Sequence, residues 1–497
     1  MKILSALQIK KADQDTITNE PISSIDLMER AAEKCCEFFP PVGKWNHLVV
    51  ICGTGNNGGD GLAIARLQLG NFKSVRVLIL KTGKQTSENF EINLKKLQDE
   101  NVNIQFITDA NDIFLSDEEL VVDAILGVGI TRPVDGFISD CIDVINELAV
   151  FVISIDLPSG LIADSVSSGK AIKANLTLTI GAPKQILFFP ESSEFVGEWK
   201  LVDIYKNEAS VSSYEDAPQI VDLSYARKHY KVRPEFSHKG TFGKALIVAG
   251  GQGKYGAAVL TARACMRSGI GLLTVQVPNE ATMLIHSSLP EALLKPDRHQ
   301  TMITEIMDVV LYDSIGIGPG IGTANETVDG LIQLIKEQQK PIVIDADALN
   351  IISEHPDLLT KLPLNSILTP HPKEFERLFG PTENSYERLE KQKTQSAIHK
   401  IIIICKGRYT TITTPEGKVF FNMSGNSGLA KGGSGDVLTG IITSLLAQGY
   451  TPESAAVFGV FVHGYSADLL ADKIGKAGIM AGDVIENFPS VFKVFED

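Results

Sequence analysis

The sequence predicts an α/β protein of two domains, each built on a mostly parallel sheet with helices on both faces. Three observations predict it. Short Val- and Ile-rich runs alternate with helix-like stretches along most of the chain. Glycine or acid clusters follow those runs, at the edge where parallel sheets bind ligands. A polar, mixed-charge, weakly patterned stretch, residues 207–235, interrupts the alternation. It places a linker near 208–220, between a first domain, 1–212, and a second, 221–497.

The totals narrow the function. Of 497 residues, 44% are hydrophobic and 21% charged, as in ordinary globular chains. A net charge of −14 argues against nucleic-acid or anionic-membrane binding. An anionic ligand must then be held by local amides, helix dipoles and a few Lys or Arg. The six cysteines form no CxxC pair, so they read as buried thiols of a reducing cytoplasm rather than a zinc site. The N-terminus lacks the apolar core of a signal peptide, and no apolar run is expected to reach spanning length.

In the first domain, SSIDLMERAAEKCCEFF carries Ile25, Leu27, Met28, Ala31, Ala32 and Cys35 at helical spacing, with Ser23 or Ser24 as cap. HLVVIC, GTGNNGGDG and LAIARLQLG read as strand, glycine turn and helix. Further strands are expected at 75–80, 120–126, 151–157 and 176–181. Three clusters stand at strand ends. Gly53–Gly61 has a GxG turn but continues with two amides and a carboxylate; a ligand turn and a tight βα turn both fit. Asp123 precedes Gly127 and Gly129, as a ligand loop or a helix cap. Asp156-Leu157-Pro158-Ser159-Gly160 is an oxygen-bearing loop or a simple proline turn. Together Asn57, Asp123 and Ser159 form an oxygen-only donor set, which suits a hard cation and disfavours zinc or iron.

In the second domain, ALIVAGG is a strand and Ala257–Arg267 a helix, with small residues at Gly256, Ala257 and Ala258 that let a flat ring approach the backbone. Asp345 and Asp347 flank Ala346 and are expected on one face of one strand, as metal ligands or as a helix cap. His371, between two prolines, fits a ligand contact and a turn histidine equally. Lys406 ends an apolar strand, as a phosphate contact or a solvated lysine. His463 lies mid-helix among apolar residues and reads as a core histidine. Gly425–Gly440, GNSGLAKGGSGDVLTG, holds six glycines and then opens an apolar helix. Such a run lets backbone N–H groups converge on an anion at a helix N-terminus. Asp436 in the first turn would repel a phosphate, so it is better placed as a base on a neighbouring hydroxyl. A plain helix cap is the alternative, and it needs far fewer glycines.

Across nearly its whole length the chain resembles the bifunctional NAD(P)H-hydrate repair enzymes. The carriers are LMERAA, GTGNNGGDG, VVDAILGVG and DLPSG in the first half. In the second they are SHKGTFGK, GIGPGIG, VIDADALN, LTPHPKE, KGRYTTI and GNSGLAKGGSGDVLTG. The resemblance implies a Rossmann-like three-layer sandwich followed by a ribokinase-like domain. The substrate it implies is NADH or NADPH hydrated at ring carbon 6, an alcohol with two epimers. The first domain would interconvert them. Asn56, Asn57, Gly58, Gly59 and Asp60 would bind the dinucleotide. So would the loop Gly127, Val128, Gly129, Ile130, Thr131, Arg132 and Pro133. Asn57, Asp123 and Ser159 would hold K⁺, and Asp156 would be the acid/base on the ring. The family loop usually reads GTGL followed by Arg; here it is GVGITR, and Val128 removes a hydroxyl.

The second domain would dehydrate one epimer at the expense of ADP or ATP with Mg²⁺. Asp436 would take the hydroxyl proton. The amides of Gly432, Gly433, Ser434 and Gly435 would stabilise the transferring phosphoryl group. Lys406, Gly407, Arg408, Tyr409 and Thr410, with Gly435, would hold the nucleotide. Ala257, Gly320, His371 and Asp436 would hold the hydrate. Expected partners are small molecules only, within a symmetric homo-oligomer. A vitamin-type kinase with an accessory domain shares the same glycine loop, and a binding-only first domain is a further rival.

Overall fold

The computed structural model describes residues 1–497 apart from 42, 82, 84, 167–168, 207–208 and 497. Residue 208, where the expected linker begins, lies outside the described residues. The chain divides into two compact units: Met1–Ala217 with Asn384–Tyr386, and Pro218–Glu383 with Glu387–Asp497.

Among the described residues the first unit holds seven strands, all parallel: β1 His47–Cys52, β2 Ser74–Leu80, β3 Asn103–Ile107, β4 Glu119–Ala124, β5 Val152–Ile155, β6 Leu176–Ile180 and β7 Glu198–Val202. Their order is β3-β2-β1-β4-β5-β6-β7. The chain runs outward from β1 to β3, then returns to β1's other side, so a crevice opens beyond the carboxyl ends of β1 and β4. Leu48 to Cys52 are wholly buried, as expected for a strand covered on both faces. The first expected helix spans Ser24–Cys36 and is capped by Ser23, whose side chain accepts from the Asp26 amide. β4 stops at Ala124, two residues short of expectation. The reason is local: the Leu126 amide donates to Ser159 Oγ (2.8 Å) and the Ile125 amide to Asp123 Oδ1 (3.2 Å), rather than to a neighbouring strand.

Among the described residues the second unit holds ten strands: β8 Gln219–Val221, β9 Lys244–Val248, β10 Leu272–Val277, β11 Leu293–Pro296, β12 Ser314–Ile317, β13 Ile342–Ile344, β14 Ile367–Leu368, β15 Ile402–Cys405, β16 Thr411–Thr413 and β17 Val419–Asn422. Their order is β11-β10-β9-β12-β13-β14-β15-β16-β17-β8, antiparallel only where β16 meets β15 and β17. Residues 219–221, at the end of the expected linker, pair with β17 as β8.

Two expectations are corrected here. Asp345 and Asp347 do not share a strand. β13 ends at Ile344, and Ala346, at φ +50°, turns the chain out of extended geometry into the helix Ala346–Glu354, so the two carboxylates diverge. One helix, Pro452–Ile474, does reach spanning length by size and composition; 72% of its apolar window is buried within the protein.

The helix Ser434–Ala447 packs closely against Tyr255–Arg267 because Gly440 has no side chain. A Cβ there would stand 2.2 Å from the Thr261 carbonyl oxygen and 2.9 Å from Ala264 Cβ. Gly440→Val is therefore expected to cost the second unit about 1–3 kcal/mol through overpacking. A fall in its thermal-unfolding midpoint checks this.

Candidate active sites

In the first unit, the β1 turn delivers the helix Asn56–Leu67 against the sheet edge. A Cβ on Gly53 would lie 2.0 Å from the Ile125 carbonyl oxygen, and one on Gly58 1.9 Å from that of Gly53. These glycines let the helix start sit on the crevice. Asn57 in that first turn is half-buried, but both polar atoms of its amide group are buried and make no hydrogen bond among the described residues. An unpaired buried amide calls for a ligand. Asp123, in register with Ile51 and Ser154, is also buried. It accepts from Ser154 Oγ (2.8 Å), the Ser159 amide (2.8 Å) and Ser159 Oγ (2.5 Å). Burial pushes its carboxyl up despite those bonds, and it has no ion-pair partner among the described residues. Asp123 and Ser159 are joined directly, and with the unpaired amide oxygen of Asn57 they make an oxygen-only set whose chemistry suits a hard cation.

Asp156 follows β5 at φ +70°, a left-handed conformation that a non-glycine residue adopts only where its surroundings impose it. Its Oδ2 accepts from the Val128 amide (3.1 Å), and its Oδ1 is paired with the Lys184 ammonium. A Cβ on Gly127 would stand 2.9 Å from Asp156 Oδ2 and 3.3 Å from Asn57 Cγ, so the loop, the acid and the amide meet at one point. The departure from GTG keeps this contact, since the backbone of Val128 makes it. Gly129, Thr131, Arg132 and Pro133 lie exposed farther along the loop. Asp60, one turn after Asn57, is driven up by burial and then by the charges of Asp156 and Asp13.

In the second unit a cavity of about 460 Å³ opens beside the glycine loop. Ala257, Gly320, Gly432, Gly433 and Asp436 line it together; His371 does not. The helix Ser434–Ala447 starts at Gly433 (φ +89°) with no side-chain cap, which leaves its first amides for a ligand. Asp436 in that turn is pushed up to about 6, by burial first, then by Asp345, with Lys406 opposing. Burial also acts to raise the Asp345 carboxyl, but Lys406 Nζ at 2.9 Å and Thr439 Oγ1 at 2.9 Å outweigh it and hold it low. Asp347 instead accepts from Lys254 Nζ (3.0 Å) at the cavity wall and from the Gly322 amide (2.9 Å).

The remaining expected residues fall as follows. Lys406 is partly exposed; it pairs with Asp345 and lies 3.8 Å from Glu374, and a Cβ on Gly435 would stand 3.4 Å from its Nζ, at the start of the glycine-led helix. Gly407 and Thr410 close a turn through Thr410 Oγ1. Arg408 lies 4.5 Å from the Tyr409 ring centre and donates to the Gly425 carbonyl (2.8 Å), tying this turn to the glycine loop. His371 caps the helix Pro372–Phe379, accepting from the Glu374 amide at 3.1 Å, which is the turn-histidine alternative. His463 is a core histidine, pushed down to about 4 by burial, yet its Nε2 reaches Ser434 Oγ at 3.2 Å. Sequence reasoning missed Lys184 and Lys254. Lys184 did carry a signal, a lone lysine just after an apolar strand, in the same kind of position as the acids it meets.

Comparison with known proteins adds to this geometry. Residues 24–186 match the family described as YjeF-related protein N-terminus, and residues 245–490 the family described as NAD(P)H-hydrate dehydratase. The whole chain is 32% identical to a bifunctional NAD(P)H-hydrate repair enzyme of Moorella thermoacetica, of which 98% is covered. The ADP/ATP-dependent NAD(P)H-hydrate dehydratase of Bacillus subtilis, co-crystallised with ATP and Mg²⁺, matches at TM-score 0.50 and 31% identity, over 56% of this chain and 99% of that one. A ribokinase-like superfamily protein of Enterococcus faecalis matches at TM-score 0.50 and 27% identity, over 56% of this chain and 96% of that one.

Proposed function

Because the chain belongs to the bifunctional NAD(P)H-hydrate repair enzyme family, we propose that it restores hydrated NADH and NADPH in two steps. The first unit interconverts the R and S epimers. The second dehydrates the S epimer at the expense of ADP or ATP. The observation that carries the second step is Asp436: a carboxyl raised to about 6, in the uncapped first turn of a glycine-led helix, facing a cavity of ligand size.

The chemistry follows from hydroxide being a poor leaving group. Asp436 takes the proton of the C6 hydroxyl, and that oxygen attacks the terminal phosphoryl group. The bond to the departing nucleotide breaks, with charge on the moving group spread over the helix amides. The C6–O bond then breaks as the ring nitrogen lone pair pushes, releasing phosphate. Loss of a C5 proton restores the reduced ring. Mg²⁺ would arrive with the nucleotide and supply charge neutralisation on its phosphates.

For the first unit, Asp156 is the acid/base at the hydrated ring carbon, reached between the Gly127–Val128 loop and the helix start at Asn57. Asn57, Asp123 and Ser159 would hold K⁺, whose charge steadies this anionic corner and an anionic ligand. Six free cysteines support a reducing, cytoplasmic setting, and symmetric self-assembly belongs to the same reading.

Hydrate labelled with heavy oxygen at C6 tests the reading. The expected result is label in the released phosphate and regain of the reduced ring's near-ultraviolet absorbance. Label released as water argues against the phosphorylated intermediate. A stable phosphorylated product points to a vitamin-type kinase instead.

A further inference from the structure

Lys184 follows β6 and has a side chain that is 0% exposed, in a pocket whose other ionisable groups are mostly acids. Asp13, hydrogen-bonded to Tyr205 Oη at 2.8 Å, and Cys35, on the helix Ser24–Cys36, both lie within its field; Asp60, on the helix Asn56–Leu67, lies within that of Asp156 and Asp13. A buried ammonium is tolerated only if paired and fully hydrogen-bonded. Lys184 meets both conditions. Its three N–H groups have three acceptors: Asp156 Oδ1, Thr179 Oγ1 at 3.0 Å and the Ile180 carbonyl at 2.8 Å. Asp156 Oδ1 is further occupied by the Ile180 amide at 3.4 Å. That leaves Oδ2, beside Gly127 and the Val128 amide, as the oxygen open toward the crevice.

Resting on the epimerase reading of this site, we propose that Lys184 is its positioning residue: it holds Asp156 Oδ1 from behind and turns Oδ2 toward the Gly127–Val128 loop. The ammonium itself donates all its protons inward and does not touch the substrate. The strained backbone of Asp156 is consistent with a side chain held in place from behind.

The test uses the full chain and follows epimerisation by separating the R and S hydrates. For Lys184→Met, kcat is expected to fall about 10²-fold with KM within about threefold. Thr179→Val keeps the cation but removes one of its acceptors, so kcat falls less than about tenfold at unchanged KM. Wild-type kcat in Lys184→Met, or a KM that changes as much as kcat, overturns the inference. If Lys184→Met does not fold, Thr179→Val decides: lowered kcat at unchanged KM supports the inference, and wild-type kcat overturns it. Asp156→Asn separates the two levels. If that variant still epimerises, the reading of the site fails. If it is inactive while Lys184→Met behaves as wild type, only the role of Lys184 fails.

Discussion

Asp436→Asn is expected to lower the dehydration rate by about 10²–10⁴-fold, the usual contribution of a positioned general base. The substitution keeps the shape of the side chain and the amides of the helix start, so the nucleotide KM changes little. What disappears is the one carboxylate of the cavity, among the described residues, that is not already committed to a partner: Asp345 is committed to Lys406 and Thr439, and Asp347 to Lys254 and the Gly322 amide. The wild-type pH profile carries the same signature. Burial and the Asp345 charge raise Asp436 to about 6, and a base works only when ionised. The rate is therefore low near pH 5, rises through about pH 6 and levels above it. Regain of near-ultraviolet absorbance, measured across pH for both proteins, checks the prediction. A variant that keeps its rate would remove Asp436 from the chemistry.

Asp156→Asn is expected to slow epimerisation by about 10²–10⁴-fold while leaving dehydration of the supplied S epimer intact. Asparagine tolerates the left-handed backbone at this position, and its oxygen can still accept from the Val128 amide. The loss is thus chemical rather than geometric. A second effect accompanies it. Lys184 becomes a buried ammonium facing a neutral amide, and breaking a buried ion pair costs about 3–5 kcal/mol. The thermal midpoint of the first unit should fall, unlike that of the second. Timed separation of the epimers, with a parallel melting curve, measures both.

How much of this was legible in the chain depends on how local each feature is. The helix at Ser24–Cys36 and the strands HLVVIC and LTLTI follow from apolar spacing within a dozen residues. The expected site motifs stand at strand ends or helix starts for the same reason: glycine and acid punctuation lies next to the runs it ends. Asp345 and Asp347 show the limit. A period-two pattern cannot register that Ala346 turns to φ +50°, because it carries side-chain polarity and not the backbone angle of one residue.

Local order therefore set the alternation of strands and helices, the two-part organisation and the stretches where chemistry gathers. Tertiary structure alone decided which charges are paired and which are left for a ligand. Lys406 meets a carboxylate 61 positions earlier and Lys184 one 28 positions earlier, while the amide group of Asn57 is buried without a partner among the described residues. The reason is physical. Periodicity is a property of neighbours along the chain, whereas the ionisation and orientation of a buried group depend on burial and on contacts made through space, which no local pattern contains.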